Sequence, residues 1–250
     1  MDEGSIPSSS TKMFRCQEYH PREGSSLSEA SKLERNSLQL HNKMIEYSPL
    51  KQWAICFKRM VPTMIEIRKA TREQATEIAR LIMTAMTDDC CLFFCGEGYG
   101  LDDFHKMMTR LVEREDSQYS YLNTLVALDA DRVVGVSVSY DGGLLHQLRQ
   151  AFIDSAKVYI GKDHSGMDDE TQAGELYLDS LAVVPEYRRQ GIARRLILAT
   201  KERANHMGLP CVGLLVDQGN PAGEALYSAL GFRFVNESTW GGHPMKHLTL

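Results

Sequence analysis

The stretch Val183-Val184-Pro185-Glu186-Tyr187-Arg188-Arg189-Gln190-Gly191-Ile192-Ala193 decides how this chain is read. An apolar run ends at Pro185, which cannot donate to a sheet ladder. A short polar loop follows. From there Ala193, Leu196, Ile197, Thr200 and Ala204 fall on one helical face. The stretch is therefore a strand, a loop and the start of a helix. The first turn of a helix leaves backbone N–H groups unpaired and carries the positive end of the helix dipole. Together these bind phosphate groups. Gly191 and Ala193 are small enough for a pyrophosphate to approach the backbone, and Arg188 and Arg189 can add charge-assisted hydrogen bonds. An ordinary strand–helix turn with exposed arginines has the same spacing. The Lys-Ser/Thr pair of a Walker loop and the early glycines of GxGxxG are both missing, which disfavours an NTPase or a dinucleotide site.

Working outward, Gly208 and Pro210 stop that helix. Cys211 to Val216 is a nearly continuous apolar run, the pattern of a central strand. Residues 222–230 read as a short helix ended by Gly231, and 232–235 and 245–250 as strands. Upstream, Glu175 to Val184 is a strand. Residues 141–173 form an insertion in which Leu144, Leu148, Phe152 and Ala156 suggest a helix, followed by a loop. Leu122–Leu128 and Arg132–Tyr140 make a hairpin. Helices are expected over 102–114 and from the capping-box pair Thr71 and Gln74 to Thr87. A Cys- and Gly-containing loop begins at Asp88, and Ile65–Arg68 is a short first strand. The order implies an α/β (α+β) fold, a mixed central sheet flanked by helices.

At 250 residues with 43% hydrophobic and 24% charged residues, the composition is that of a globular protein. The net charge of -5 argues against general nucleic-acid binding, which takes a surplus of Lys and Arg. Residues 64–250 hold 19 Lys/Arg against 26 Asp/Glu, a balance that tolerates cationic substrates. No apolar run is long enough to span a membrane. MDEGSIPSSSTK has no basic n-region leading into an apolar stretch, so no secretory signal is expected. Six cysteines without zinc spacing read as free thiols in a reducing cytoplasm, with no metal. Residues 1–63 read as an N-terminal extension, largely disordered or weakly helical. The main domain is placed at 64–250.

Arg188-x-x-Gly191-x-Ala193, after Leu181-Ala182-Val183-x-Pro185, resembles the acyl-CoA motif of the GNAT superfamily of N-acetyltransferases. The second half of that pattern is also present: Asn220-Pro221 after the strand at 211–216, then Ala225-Leu226-Tyr227 and Leu230-Gly231-Phe232. The resemblance covers roughly residues 64–250. It implies a twisted sheet whose fourth and fifth strands part to admit acetyl-CoA. Backbone groups of Leu181, Ala182 and Val183 would pair with the pantetheine arm as an added strand. The N–H groups of Arg188, Arg189, Gln190, Gly191, Ile192 and Ala193 would hold the pyrophosphate. Asn220 would contact the arm near the thioester, and Tyr227 would protonate the leaving thiolate. The implied reaction is direct transfer of an acetyl or similar short acyl group to a primary amine of a small molecule or peptide. Relatives often dimerise, so a homodimer is open.

The base is where the sequence departs from the resemblance. The position expected to hold a glutamate is Tyr177. Glu175 and Asp179 share its face if the strand alternates regularly. Either could deprotonate the amine through water, or both could merely orient the substrate. The missing glutamate leaves a rival reading, a catalytically silent acyl-CoA-binding sensor or scaffold. His146 and His164 each stand alone and read as solvated, as does the acidic run Asp168-Asp169-Glu170.

Overall fold

The computed structural model describes residues 64–250. The expected extension at 1–63, with Cys16 and Cys56, lies outside the described residues. Seven strands form one sheet: β1 Glu66–Lys69, β2 Thr124–Asp129, β3 Arg132–Asp141, β4 Leu176–Val183, β5 Val212–Asp217, β6 Arg233–Trp240 and β7 His243–Thr249. Their order is β1-β2-β3-β4-β5-β7-β6. Among these pairs only β4–β5 is parallel. Among the described residues six helices flank the sheet: α1 Ala75–Met86, α2 Asp88–Phe94, α3 Leu101–Glu113, α4 Leu145–Tyr159, α5 Ile192–His206 and α6 Pro221–Leu230. The mixed, helix-flanked sheet expected from the sequence is thus present.

The sheet separates two cores because its strands alternate apolar residues to both faces. On one face α1, α2, α3 and α4 pack Ile82, Cys91, Phe104, Met108 and Phe152 against Val136, Tyr140 and Tyr177. On the other, α5 and α6 pack Leu196, Ile197 and Tyr227 against Leu178, Leu181, Leu214 and Val216. In α5 the buried first position is Ile192, and Ala193 is only half-buried. The apolar stripe therefore begins one residue earlier than its expected start.

Two regions differ from expectation. The loop placed at Asp88 is helix α2. Thr87, at φ 72°, turns the chain. Asp88 and Asp89 then occupy the first turn, where the helix dipole favours acids. Cys90, Cys91 and Phe94 bury one face. The last hairpin is also longer than expected, because β6 continues through the polar residues 236–239, all exposed but half-buried Ser238, to Trp240.

The insertion does contain a helix, α4, and a segment without regular structure after it. His164 in that segment is not solvated. It is 7% exposed, its Nε2 lies 2.9 Å from the Phe94 carbonyl oxygen, and its ring packs edge-on to Phe94 at 4.9 Å. Burial lowers its pKa. A depressed histidine stays neutral in the fold while the unfolded chain takes up a proton below about pH 6.5. Its contribution is therefore intact above that pH and lost as pH falls through the folded value. The melting temperature should drop more steeply between pH 7 and pH 5 in the wild type than in His164→Gln, measured by thermal denaturation.

Candidate functional site

The parallel pair β4–β5 holds only at its start. Leu176 faces Val212 and Tyr177 faces Gly213, and no further rung follows. β3 accompanies β4 to Val183, and β7 accompanies β5 to Asp217. The two strands therefore diverge, and among the described residues no rung joins β4 to β5 beyond Tyr177. Leu181, Ala182 and Val183 lie along the edge this opens. An extended chain laid there would find backbone donors and acceptors, as in strand addition.

The loop between β4 and α5 sits at the open end. Its fixed points are Arg188 Nε, which donates to the Val183 carbonyl at 3.0 Å, and the Tyr187 hydroxyl, which donates to Asp129. Arg189 at φ 62° and Gly191 at φ 77° adopt left-handed backbone conformations. They turn successive N–H groups toward one side. Among the described residues, the N–H groups of Arg189, Gln190, Gly191, Ile192, Ala193 and Arg194 meet no protein acceptor, whereas Arg195 N–H donates to the Gly191 carbonyl at 3.1 Å. Arg189, Gln190 and Gly191 are exposed. This concave row of donors at a helix start fits an anionic group such as a pyrophosphate.

Asn220 and Tyr227 belong to α6, beside the gap. Asn220 caps the helix, its Oδ1 accepting from Gly223 N–H at 2.9 Å, and Pro221 fills the first helical position. Tyr227 is 1% exposed and packs edge-on to Phe232 at 5.2 Å. Burial pushes its phenol well above the usual value, so it is a proton donor at neutral pH.

The expected regular alternation of β4 does not hold. A bulge lies between Val138 and Ser139 of β3, so that Leu178 faces Ser139, Ser180 faces Val138, and Asp179 is the extra residue. Leu178 and Leu181 consequently share the α5 face. Asp179 is 8% exposed, and Ser180 Oγ donates to its Oδ2 at 2.7 Å. Burial, followed by the charges of Glu170 and Asp179, pushes the Tyr140 and Tyr177 phenols well up. Asp179 thus stands beside Tyr177, the position expected to carry a glutamate.

Glu175 stands apart from Asp179. Its Oε2 lies 2.7 Å from His247 Nε2, and its Oε1 accepts from Thr171 Oγ1 at 2.6 Å. The acidic run is also not uniformly solvated. Glu170 is 6% exposed and its Oε1 accepts from the Tyr140 hydroxyl at 2.6 Å. Arg149, 4% exposed, donates to Asp169 Oδ1 at 3.1 Å and to the Asp168 carbonyl at 2.9 Å, tying α4 to this segment. His146 stays exposed beside Asp169. Sequence reasoning missed His247, Arg149 and the burial of Glu170. The available signal was Gly213 inside an apolar strand, which marks a close approach by another group.

Among the described residues, no cluster of His, Cys, Asp and Glu could hold a metal. No described helix is long and apolar enough to cross a membrane.

Comparison with known proteins places this geometry. A mycothiol acetyltransferase of Nocardiopsis dassonvillei is 40% identical over 70 residues, 28% of this chain and 21% of that protein. The GCN5-related N-acetyltransferase 4, chloroplastic, of Arabidopsis thaliana is 28% identical over 113 residues, 44% of this chain and 36% of that protein. The matches thus span well under half the length of these curated relatives. A crystal structure of an acetyltransferase superposes with a TM-score of 0.62 at 27% identity, covering 74% of this chain and 97% of that one. The family model described as "Acetyltransferase (GNAT) family" matches residues 95–232, more than half of the chain. The chain belongs to the acetyltransferase (GNAT) family.

Proposed function

We propose that this protein transfers an acetyl group from acetyl-CoA to a primary amine by direct attack in a ternary complex. The observation that carries the reading is the parting of β4 and β5 beside a row of unpaired N–H donors. The N–H donors of residues 189–193 hold the pyrophosphate, whereas the Arg188 N–H, expected among them, is already given to the Pro185 carbonyl at 3.2 Å; the open edge of Leu181, Ala182 and Val183 pairs with the pantetheine arm. Asn220 borders that arm where α6 begins. When bound, acetyl-CoA supplies an activated acyl carbonyl. The chain's residues align it, and Tyr227 gives a proton to the departing sulfur. A backbone N–H of the open edge meets the developing oxyanion, so the tetrahedral intermediate needs no side-chain donor. Cys90 and Cys91 are buried in the core under α1–α4, and no cysteine lies within residues 181–193 or 220–232, which favours direct attack over an acyl-enzyme. The acceptor is a small-molecule or peptide amine, and the reaction belongs to a reducing cytoplasmic setting.

Arg188→Ala combined with Gly191→Val tests the cofactor reading. Valine at φ 77° strains the loop by about 1–2 kcal/mol and crowds the donors. The acetyl-CoA dissociation constant, measured by calorimetry, should rise at least about tenfold, equivalent to about 1.4 kcal/mol. An unchanged constant would remove this loop from the binding site.

A further inference from the structure

On the face away from α5, a polar cavity of about 320 Å³ opens among Glu170, Glu175, Leu215, Asn236, Ser238 and His247. Glu175 and His247 form its floor. They are 2% and 6% exposed; Glu175 directly precedes β4 and His247 lies in β7, and β5 runs between those two strands. The pair can meet only because β5 carries glycine at 213. A Cβ there would fall within the Glu175 carboxyl group. The carboxylate lies over bare backbone and reaches His247 Nε2 at 2.7 Å. His247 Nδ1 faces the Asn236 amide oxygen at 3.2 Å, and Asn236 is exposed on β6, the edge strand.

We propose that His247 is the base that takes the proton from the acceptor ammonium, with Glu175 as its positioning residue, and that the cavity is where the amine docks. This deepens the acetyltransferase reading and rests on it. Glu175 fixes Nε2 as the protonated nitrogen, so Nδ1, on the side of exposed Asn236, gains and loses the proton. The Asn236 oxygen then receives the Nδ1–H of the imidazolium. The rest of the cavity wall is Asp169 and Glu170, both acidic, with the uncharged Thr171 and Gln172 from the segment before β4, Leu215 of β5 and Ser238 of β6. Lys246, next on β7, is turned to Glu224 at 2.8 Å. The cavity therefore favours a cationic, hydrophilic amine over an apolar one.

The proton count closes. The ammonium gives one proton to His247, which releases it to solvent. The freed nitrogen lone pair forms the C–N bond. Collapse of the tetrahedral carbon breaks the C–S bond, whose electron pair leaves on sulfur. That sulfur takes the Tyr227 proton, and the second nitrogen proton restores Tyr227. The base and the acid thus work from opposite faces of the sheet.

The test measures CoA thiol release by the full chain at saturating acetyl-CoA across pH 5.5 to 9, with glycinamide, ethylenediamine and a lysine-containing peptide as acceptors. Expected are a wild-type kcat/KM limb that does not follow the acceptor's own ionisation, and a loss of about 100-fold in kcat in His247→Gln. Glu175→Gln should lower kcat and move the limb to lower pH, while the acetyl-CoA dissociation constant stays unchanged in both variants. A wild-type limb that tracks only each acceptor's ionisation overturns the proposal without any variant, so poor folding of a variant cannot rescue it. Wild-type release that persists within about threefold in His247→Gln overturns the proposal but leaves the acetyltransferase reading standing. No wild-type release with any of the three overturns both.

Discussion

Gly213→Val is expected to destabilise the fold by about 3 kcal/mol, the upper end of the cost of inserting methyl groups into a packed site. The new side chain would occupy the space of the Glu175 carboxyl group, and that carboxyl could not leave cheaply. It accepts from Thr171 Oγ1 at 2.6 Å and meets His247 at 2.7 Å. Displacing it leaves a buried carboxyl group without those hydrogen-bond partners. For a domain of this size the melting temperature should fall by roughly 10 °C. Thermal denaturation checks this, and a fall of less than about 3 °C would mean that Glu175 moves aside at little cost. The small Gly213→Ala change should fall between wild type and valine, because even its single methyl group collides.

Tyr227→Phe is expected to lower kcat about 100-fold, the usual contribution of a positioned acid. The acetyl-CoA dissociation constant should be unchanged within about twofold, because the interaction lost is made only as the sulfur departs. The substitution keeps the ring that packs against Phe232 at 5.2 Å, so folding is not the expected casualty. Burial raises the phenol's pKa, and the hydroxyl therefore stays protonated through neutral pH. No loss of activity should be seen in the wild type from Tyr227 ionising below pH 9. Steady-state rates with calorimetric binding separate the two effects. A kcat within about threefold of wild type, with chemistry rate-limiting, would take Tyr227 out of the mechanism.

What could be read from the sequence followed from local periodicity. The face of Ile78, Leu81, Ile82 and Ala85 in α1 repeats over enough turns to be unambiguous, and Gly231, at φ 93°, ends α6 where its position in the sequence says it should. Local features also singled out residues 188–193 as a candidate phosphate loop, because its small residues and helix start are contiguous. The helix α2 was hidden. Its seven residues are too few to establish a period, and the Asp88-Asp89 start looks like a loop until Thr87 is seen to reverse the chain. The polar half of β6 was hidden for the opposite reason: on an edge strand, exposed residues need not alternate.

The chemistry proved harder to read than the fold because its pairings are long-range. The bulge at Asp179 is a property of two strands in register, so β4 alone could not reveal that regular alternation fails there. Glu175 was visible as a candidate, but its partner His247 lies 72 positions away on a strand that is not adjacent. Glu170 looked solvated in an acidic run until Tyr140, Gln118 and Arg149 were seen to surround it. Its position between α4 and β4 lets the insertion contribute a second carboxylate beside Tyr177, next to that of Asp179.

The central claim is acetyl transfer from acetyl-CoA to an amine nitrogen. The most direct measurement is mass spectrometry of the products formed by the full chain from acetyl-CoA and a panel of primary amines, with CoA thiol measured in parallel. The account predicts an N-acetylated amine formed one-for-one with CoA, and its loss in Tyr227→Phe and in the Arg188→Ala, Gly191→Val double variant. Tight acetyl-CoA binding without any acetylated product across small-molecule and peptide amines would contradict it, and would point instead to a protein that binds the cofactor without using it.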